Sequence, residues 1–290
     1  FGDVPWYDRP LKSDDPDLYM ARDPRELVMS KILEDIDYAI DKLPQEQNVY
    51  SVTQWTALAL KSRICLFEGT FRKYHGIAGH EEYLDECIEA AERFIDDSPY
   101  QIYKGSQTPY RDLFSSNNAI STEVILARDY EIGLNIIRNA NNYTLSNTYG
   151  MPGLNKKIVD SYLKADGSRF TDVPGYATME FYQEMQDRDP RLTQTVRGPG
   201  YTRIGQTDRL SPDFSCSTTG YQLTKWVTDP SQDGYNKSYN DIILFRAAEV
   251  YLNFAEAKAE RGTLTQTDID KSIKPIRDRV GMPNLDMEEA

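Results

Sequence analysis

The chain has 290 residues, 39% hydrophobic and 27% charged, which allows a packed core and excludes wholesale disorder. Its 46 acidic against 33 basic side chains leave a formal net charge of −13, and such a surface repels phosphate backbones and argues against nucleic acid as a partner. No run approaches the ~18 consecutive apolar residues of a spanning helix, and because the first residue is Phe1 and not Met, the sequence is expected to begin inside a longer product.

The first predicted helix opens at Asp23-Pro24-Arg25-Glu26. Asp23 is expected to cap it, Pro24 to take the first helical position and Glu26 to close a capping box. Val28, Ile32, Leu33, Ile36, Ala39, Ile40 and Leu43 then recur at helical spacing until Pro44. Ser51 and Gln54 form another capping-box pattern. The segment from Trp55 through Phe71 is apolar on most sides, which predicts a helix sandwiched between neighbours. A third helix, about 81–97, carries Leu84, Cys87, Ile88, Ala91, Phe94 and Ile95 on one face. From about residue 98 to 237 the composition shifts to Gly, Pro, Asn, Ser, Thr and Tyr, with only short elements legible, at 123–128 and 178–186. Helical order returns at 240–261, with Leu244, Ala247, Ala248, Tyr251, Phe254 and Ala255 on one face and Gly262 as the stop. Thr265 and Asp268 open a last helix, in which Pro275 predicts a kink.

Alanines stand at close-packing positions (Ala57, Ala59, Ala90, Ala91, Ala255, Ala257, Ala259), as in tetratricopeptide-like helix pairs, although no strict repeat can be counted. The expected fold is mainly α, with such pairs forming one scaffold and a large irregular loop-rich insertion containing short strands. An ordinary helical bundle predicts similar helices but does not account for the insertion, and long irregular stretches in compact domains are usually functional. Cys65, Cys87 and Cys216 are widely spaced and form neither a zinc pattern nor a disulfide framework, and the first two read as buried, inert thiols.

Several segments carry a resemblance. Phe1-Gly2-Asp3-Val4-Pro5 resembles the F/Y-G-x-V-P step of SusD/RagB proteins, and the helix with Asp35-Ile36-Asp37-Tyr38-Ala39 ending in Leu43-Pro44 follows as it does there. Trp55 to Arg63, continuing to Leu66-Phe67-Glu68-Gly69, is similar to the family's A-x-A-L-K-A-R-x-x-L-Y-x-G helix. Glu123-Val124-Ile125, Val159-Asp160-Ser161-Tyr162, Asp166-Gly167, Arg188-Asp189-Pro190-Arg191-Leu192 and Thr219-Gly220-Tyr221 with Lys225 match later landmarks in order. The most specific match runs from Phe245-Arg246-Ala247-Ala248-Glu249 to Glu256-Ala257, then Gly262 and Ile276-Arg277-Asp278-Arg279-Val280-Gly281-Met282. The landmarks span residue 1 to about 283. Two departures are Pro275, where an unbroken helix is the rule, and the family's N-terminal part with its lipid-carrying cysteine, which lies outside this sequence.

The resemblance implies a single domain over 1–290, with 20–97 and 240–283 as helical scaffold and 98–239 as a loop-rich ligand-binding region. It implies a lipid-anchored protein on the extracellular face of the outer membrane, touching the membrane through an anchor outside this segment. Such a protein closes as a lid over a SusC-like TonB-dependent transporter and captures an oligosaccharide without cleaving it. A RagB-like peptide-capturing member is the alternative, with a glycosidase and a pure protein-interaction scaffold as rivals.

The residues offer little for catalysis. His75 and His80 share a Gly-containing loop between helices, and no triad, H-E-x-x-H, phosphate-cradling loop or dinucleotide fingerprint occurs. Composition leaves a paired-acid glycosidase open. Asp229-Pro230-Ser231-Gln232-Asp233-Gly234 begins like a calcium loop, but Lys237 and Asn240 occupy the ninth and twelfth positions, so a turn is the better reading and no metal or cofactor is expected. Aromatics and amides, by contrast, crowd the middle: the chain has 20 Tyr against 10 Phe, and Tyr143 and Tyr149 follow Asn139, Asn141 and Asn142, with Tyr176, Tyr182, Tyr201, Tyr221, Trp226 and Tyr235 beyond. Sugars present apolar faces ringed by hydroxyls, which flat rings and amides complement. Most of these tyrosines are expected to pack beneath loops and a subset to bind. The candidates are Tyr143, Tyr149 and Trp226 for apolar contact, Asn141 and Asn142 for hydrogen bonds, and Trp6 as an outlying fourth aromatic.

Overall fold

The computed structural model describes residues 2–288, so Phe1 of the opening motif lies outside it. Helices α1 (Arg25–Lys42), α2 (Gln54–Tyr74) and α3 (His80–Asp97) come first. The middle holds the short helix α4 (Pro109–Ser115), strand β1 (Val124–Arg128) and short helices α5 (Ala140–Leu145), α6 (Lys156–Ser161), α7 (Phe181–Glu184) and α8 (Pro190–Thr193). Strand β2 (Ile242–Arg246) then leads into α9 (Ala247–Arg261) and α10 (Gln266–Asp278). The architecture is mainly helical with an irregular insertion, as the sequence implies.

The helix starts show where local signals yield to distant partners. Pro24, not Asp23, sits at the N-cap of α1 and gives it no side-chain cap. Asp23 accepts instead from Trp6 N (2.8 Å), and Asp3 Oδ1, far back in the chain, accepts from Arg25 N (2.9 Å). Thr53 caps α2 with a reciprocal bond to Thr56, displacing the Ser51 pattern by two residues. Thr265 and Asp268 cap α10 as predicted, and that helix runs on through Pro275 to Asp278. Gly262 closes α9 with φ 71°, a left-handed conformation that glycine adopts without a Cβ clash.

The predicted helix at 240–261 is corrected at its front. Residues 242–246 are extended because they pair antiparallel with β1, from Val124 opposite Arg246 to Arg128 opposite Ile242. Leu244 therefore lies outside the helix and is 47% exposed. A helical spacing of apolar residues cannot reveal a strand partner more than a hundred residues away.

The all-round apolar α2 is covered by α1, α3 and α9. Phe94 is fully buried between Trp55, edge-on at 6.4 Å, and Tyr100, stacked at 5.8 Å. Ala57, Ala59, Ala90, Ala91, Ala255 and Ala257 are buried, whereas Ala259 faces solvent. Gly69 sets the spacing of α2 and α3, since a Cβ there would lie 2.7 Å from Leu84 Cγ. Cys65 and Cys87 are buried, and burial pushes the Cys65 thiol up to about 12 and the Cys87 thiol higher still.

Candidate ligand-binding site

The aromatic-rich loops become a surface because buried polar side chains stitch them together. Asn141 is fully buried on α5. Its Oδ1 accepts from Thr228 N (3.0 Å), and its Nδ2 donates to Thr228 Oγ1, Asp229 O and Asp233 Oδ1 at 3.0, 3.2 and 3.0 Å. Asn141 N donates to Ser238 Oγ, and Arg203 Nη2 grips Asp233 Oδ1 at 2.6 Å. Asn139 and Asn236 bond each other across the same two segments. The proposed ligand-binding role of Asn141 is therefore corrected: every polar atom of its side chain holds one loop to another, and no surface is left to meet a ligand.

That stitching presents Tyr143 and Tyr149, which are 49% and 44% exposed. Their rings meet edge-to-face with centroids 5.0 Å apart and an interplanar angle of 71°. Tyr235, 62% exposed, adjoins Asn236 on the partner loop. Asn142 turns inward, with Nδ2 donating to Asp233 O at 3.4 Å and a buried Oδ1 that lacks a partner among the described residues. Trp226 is half-buried beneath the loops, edge-on to Phe114 at 5.0 Å, with the Arg138 guanidinium 5.2 Å from its ring. Its φ of 72° is costly for a bulky residue, on the order of 1–3 kcal/mol, so its surroundings fix it there. Arg138 lies within cation–π range of Trp226 and Tyr130, and burial pushes its pKa down to about 10.

Trp6 does not join this surface. Its backbone is tied to Asp23 ahead of α1, whose first residue Arg25 pairs with Glu68 near the far end of α2. Asp241, which accepts from Tyr130 N and Ala119 N, binds the Tyr50 hydroxyl just before α2 begins. At 1.5 Å rise per residue, Thr53 and Glu68 stand roughly 22 Å apart.

The calcium-like segment is a capped turn: Asp229 accepts from Ser231 N at 2.8 Å and Asp233 serves Asn141 and Arg203. The landmark residues are likewise structural. Arg188 donates to the carbonyls of Glu184, Val159 and Tyr162 at 2.6–2.8 Å, with its guanidinium 3.6 Å from the centre of the Phe170 ring. Glu123, fully buried, takes Arg246 at 2.9 Å and Arg279 at 2.8 Å, while Tyr103 N donates to it. The residues that sequence reasoning missed are Thr228, Asp233, Ser238 and Arg203, whose partners lie tens of residues away and leave no local signal.

A model of the SusD family matches residues 114–290, more than half of the chain. Among solved structures, a SusD-like protein from Bacteroides fragilis has 22% identity and a TM-score of 0.73 over 100% of this chain. A protein solved with a xylogluco-oligosaccharide has 18% identity and a TM-score of 0.66 over 95% of it. Surface glycan-binding protein A from Bacteroides uniformis has 16% identity and a TM-score of 0.56 over 98%. The chain spans 60%, 54% and 56% of those three proteins, respectively. No curated protein matches it. With the helical scaffold, the loop-rich insertion and the landmark residues in their structural places, the chain belongs to the SusD family.

Proposed function

We propose that this chain belongs to a glycan-binding lipoprotein on the outer face of the outer membrane, which captures oligosaccharides for a SusC-like TonB-dependent transporter without cleaving them. In this reading 1–290 acts as one domain, with 98–239 as the ligand-binding region borne on 20–97 and 240–283. The observation that carries it is the exposed Tyr143–Tyr149 pair on loops fixed by the buried Asn141 network. Rigid, half-exposed rings suit the apolar faces of sugars at little entropic cost. The structural relatives that include a xylogluco-oligosaccharide complex and a surface glycan-binding protein add support. A peptide ligand, as in the RagB-like alternative, calls for unused backbone groups beside the rings. Here Arg138 and Ser238 pair their backbones with each other at 2.7 and 3.1 Å.

Each true aromatic anchor contributes on the order of 1–2 kcal/mol, and millimolar binding is only ~4 kcal/mol in total. Tyr143→Ala and Tyr149→Ala in the full-length protein should therefore abolish detectable binding of a xyloglucan oligosaccharide in calorimetry, with circular dichroism unchanged. Parent-like affinity in both variants would move the site elsewhere.

A further inference from the structure

We infer that a second carbohydrate site, selective for acidic sugars, lies in the cleft between the segment following α3 and the α9–α10 pair. It takes its ligand class from the carbohydrate reading above but rests on entirely different residues. The cleft holds about 620 Å³ and is lined by Gln101, Tyr103, Lys104, Thr122, Tyr251 and Pro275, with Ile102 and Gly105 completing the wall.

Much of its polar lining makes no hydrogen bond among the described residues. Tyr251 on α9 is only 8% exposed, yet its hydroxyl has no hydrogen-bond partner among the described residues. The side chains of Gln101, Tyr103 and Thr122 likewise make no hydrogen bond among the described residues. Lys104 has one carboxylate near it, Asp278 Oδ2 at 3.9 Å, and that oxygen is already held by Lys274 Nζ at 2.6 Å.

In two other large clefts, some of the charged lining residues pair within the protein. In the one between residues 163–172 and 283–286, Asp166 closes on Ser168 Oγ (2.6 Å) and Arg277 on the Pro283 carbonyl (3.0 Å). In the groove along α1–α3, Lys61 closes on Asp37 and Glu86 at 2.7 and 2.5 Å.

The cleft is also built rigidly. Tyr103 N donates to Glu123 Oε2 at 2.8 Å, and Glu123 is clamped by Arg246 and Arg279. The Tyr103 ring lies over Gly105, where a Cβ would come within 2.6 Å of it. Two tyrosines and Pro275 offer apolar contact to a pyranose ring, while two phenols, an amide and a hydroxyl meet its hydroxyl groups. The exposed ammonium of Lys104, only 3.9 Å from the shared Asp278 oxygen, matches a carboxylate on that ring, as in a uronic acid.

The test is calorimetry on the full-length protein with trigalacturonate and maltotriose at low salt. Trigalacturonate should bind at least tenfold more tightly, and added salt should erode the difference. Tyr251→Phe keeps the ring and should weaken trigalacturonate about fivefold or more, in the range of one lost hydrogen bond. Lys104→Gln should abolish the preference for the acidic sugar. No heat with millimolar trigalacturonate, or parent-like affinity in both Tyr251→Phe and Lys104→Gln, overturns the inference. The first site is read separately with the xyloglucan oligosaccharide: its loss in the Tyr143 and Tyr149 variants with no trigalacturonate effect in Tyr251→Phe and Lys104→Gln overturns this inference alone, and parent-like xyloglucan binding in the Tyr143 and Tyr149 variants overturns the first site alone.

Discussion

In the helical scaffold, Ala91, Phe94, Ala248 and Phe254 expose no surface and belong to one core cluster where α2, α3 and α9 meet. In the middle region, the apolar clusters are small, one built on Leu113, Phe114, Val124 and Ala127 and another on Val159, Met185, Leu192 and Val196. Directional bonds supplement them. Arg188 gathers three carbonyls, Asn141 joins two loops, and Gln222 Oε1 accepts from both Arg197 Nη1 and Asp213 N. Apolar burial is non-directional and suits regular helices, whose backbone groups are already paired. An irregular chain must instead satisfy its backbone with side chains, and those ties hold its loops in place.

The sharpest break of this contrast is Phe94→Ala, which leaves a cavity at the scaffold's centre and should cost about 3–5 kcal/mol. Thermal unfolding by circular dichroism should shift as one cooperative transition. A melt in which the middle region alone is lost would contradict the assignment of Phe94 to the common core.

Glu68 tests the scaffold's buried charges. Burial acts to raise its carboxyl, but hydrogen bonds from Arg25 and Arg72 overcome that and hold it below the ordinary 4.5. A carboxylate depressed in the fold contributes stability above its unfolded pKa and loses it as pH falls through the folded value. Tm should therefore drop below about pH 4.5. Glu68→Gln should cost about 3 kcal/mol at pH 7, leaving two guanidiniums facing a neutral amide, and should flatten that acid slope. Identical slopes in calorimetry would remove Glu68 from the account.

Arg188→Ala should cost about 2–3 kcal/mol by orphaning buried carbonyls, and its effect should be regional. Limited proteolysis should open sites between about residues 150 and 240 while far-UV dichroism keeps the helix signal. Unchanged protease resistance would mean the middle region stands without its guanidinium.

Asn141→Ala should be milder, about 1–2 kcal/mol, yet it should weaken glycan binding although Asn141 touches no ligand. Asn142→Ala, whose one bond is long at 3.4 Å, should stay within about 0.5 kcal/mol of the parent. Equal effects from the two would dissolve the distinction between a buried tie and a loosely held amide.

The long helices were legible because three- and four-residue spacing of apolar side chains demands one buried face, and the α10 cap and Gly262 stop are local chemistry. The middle region's irregularity was legible from composition. The strand at 242–246 was not, since Leu244 fits the helix face of Ala247, Ala248 and Tyr251 until β1 pairs with its strand. Nor did sequence separate Asn141 from Asn142, adjacent amides of which one is a fully buried, four-bond tie and the other is partly buried with one long side-chain bond.

Sequence alone determined the helical scaffold, the position of the insertion and the family landmarks, because periodicity and short motifs are properties of contiguous residues. Tertiary structure alone decided what the landmarks do: Arg63 meets Glu249 and Ser62 meets Asn253, from opposite ends of the chain. It also decided which tyrosines are exposed, and that Tyr251, read from its spacing as a core residue, lines a cleft with its hydroxyl unpaired. Exposure depends on what every other segment covers, and no local pattern carries that information.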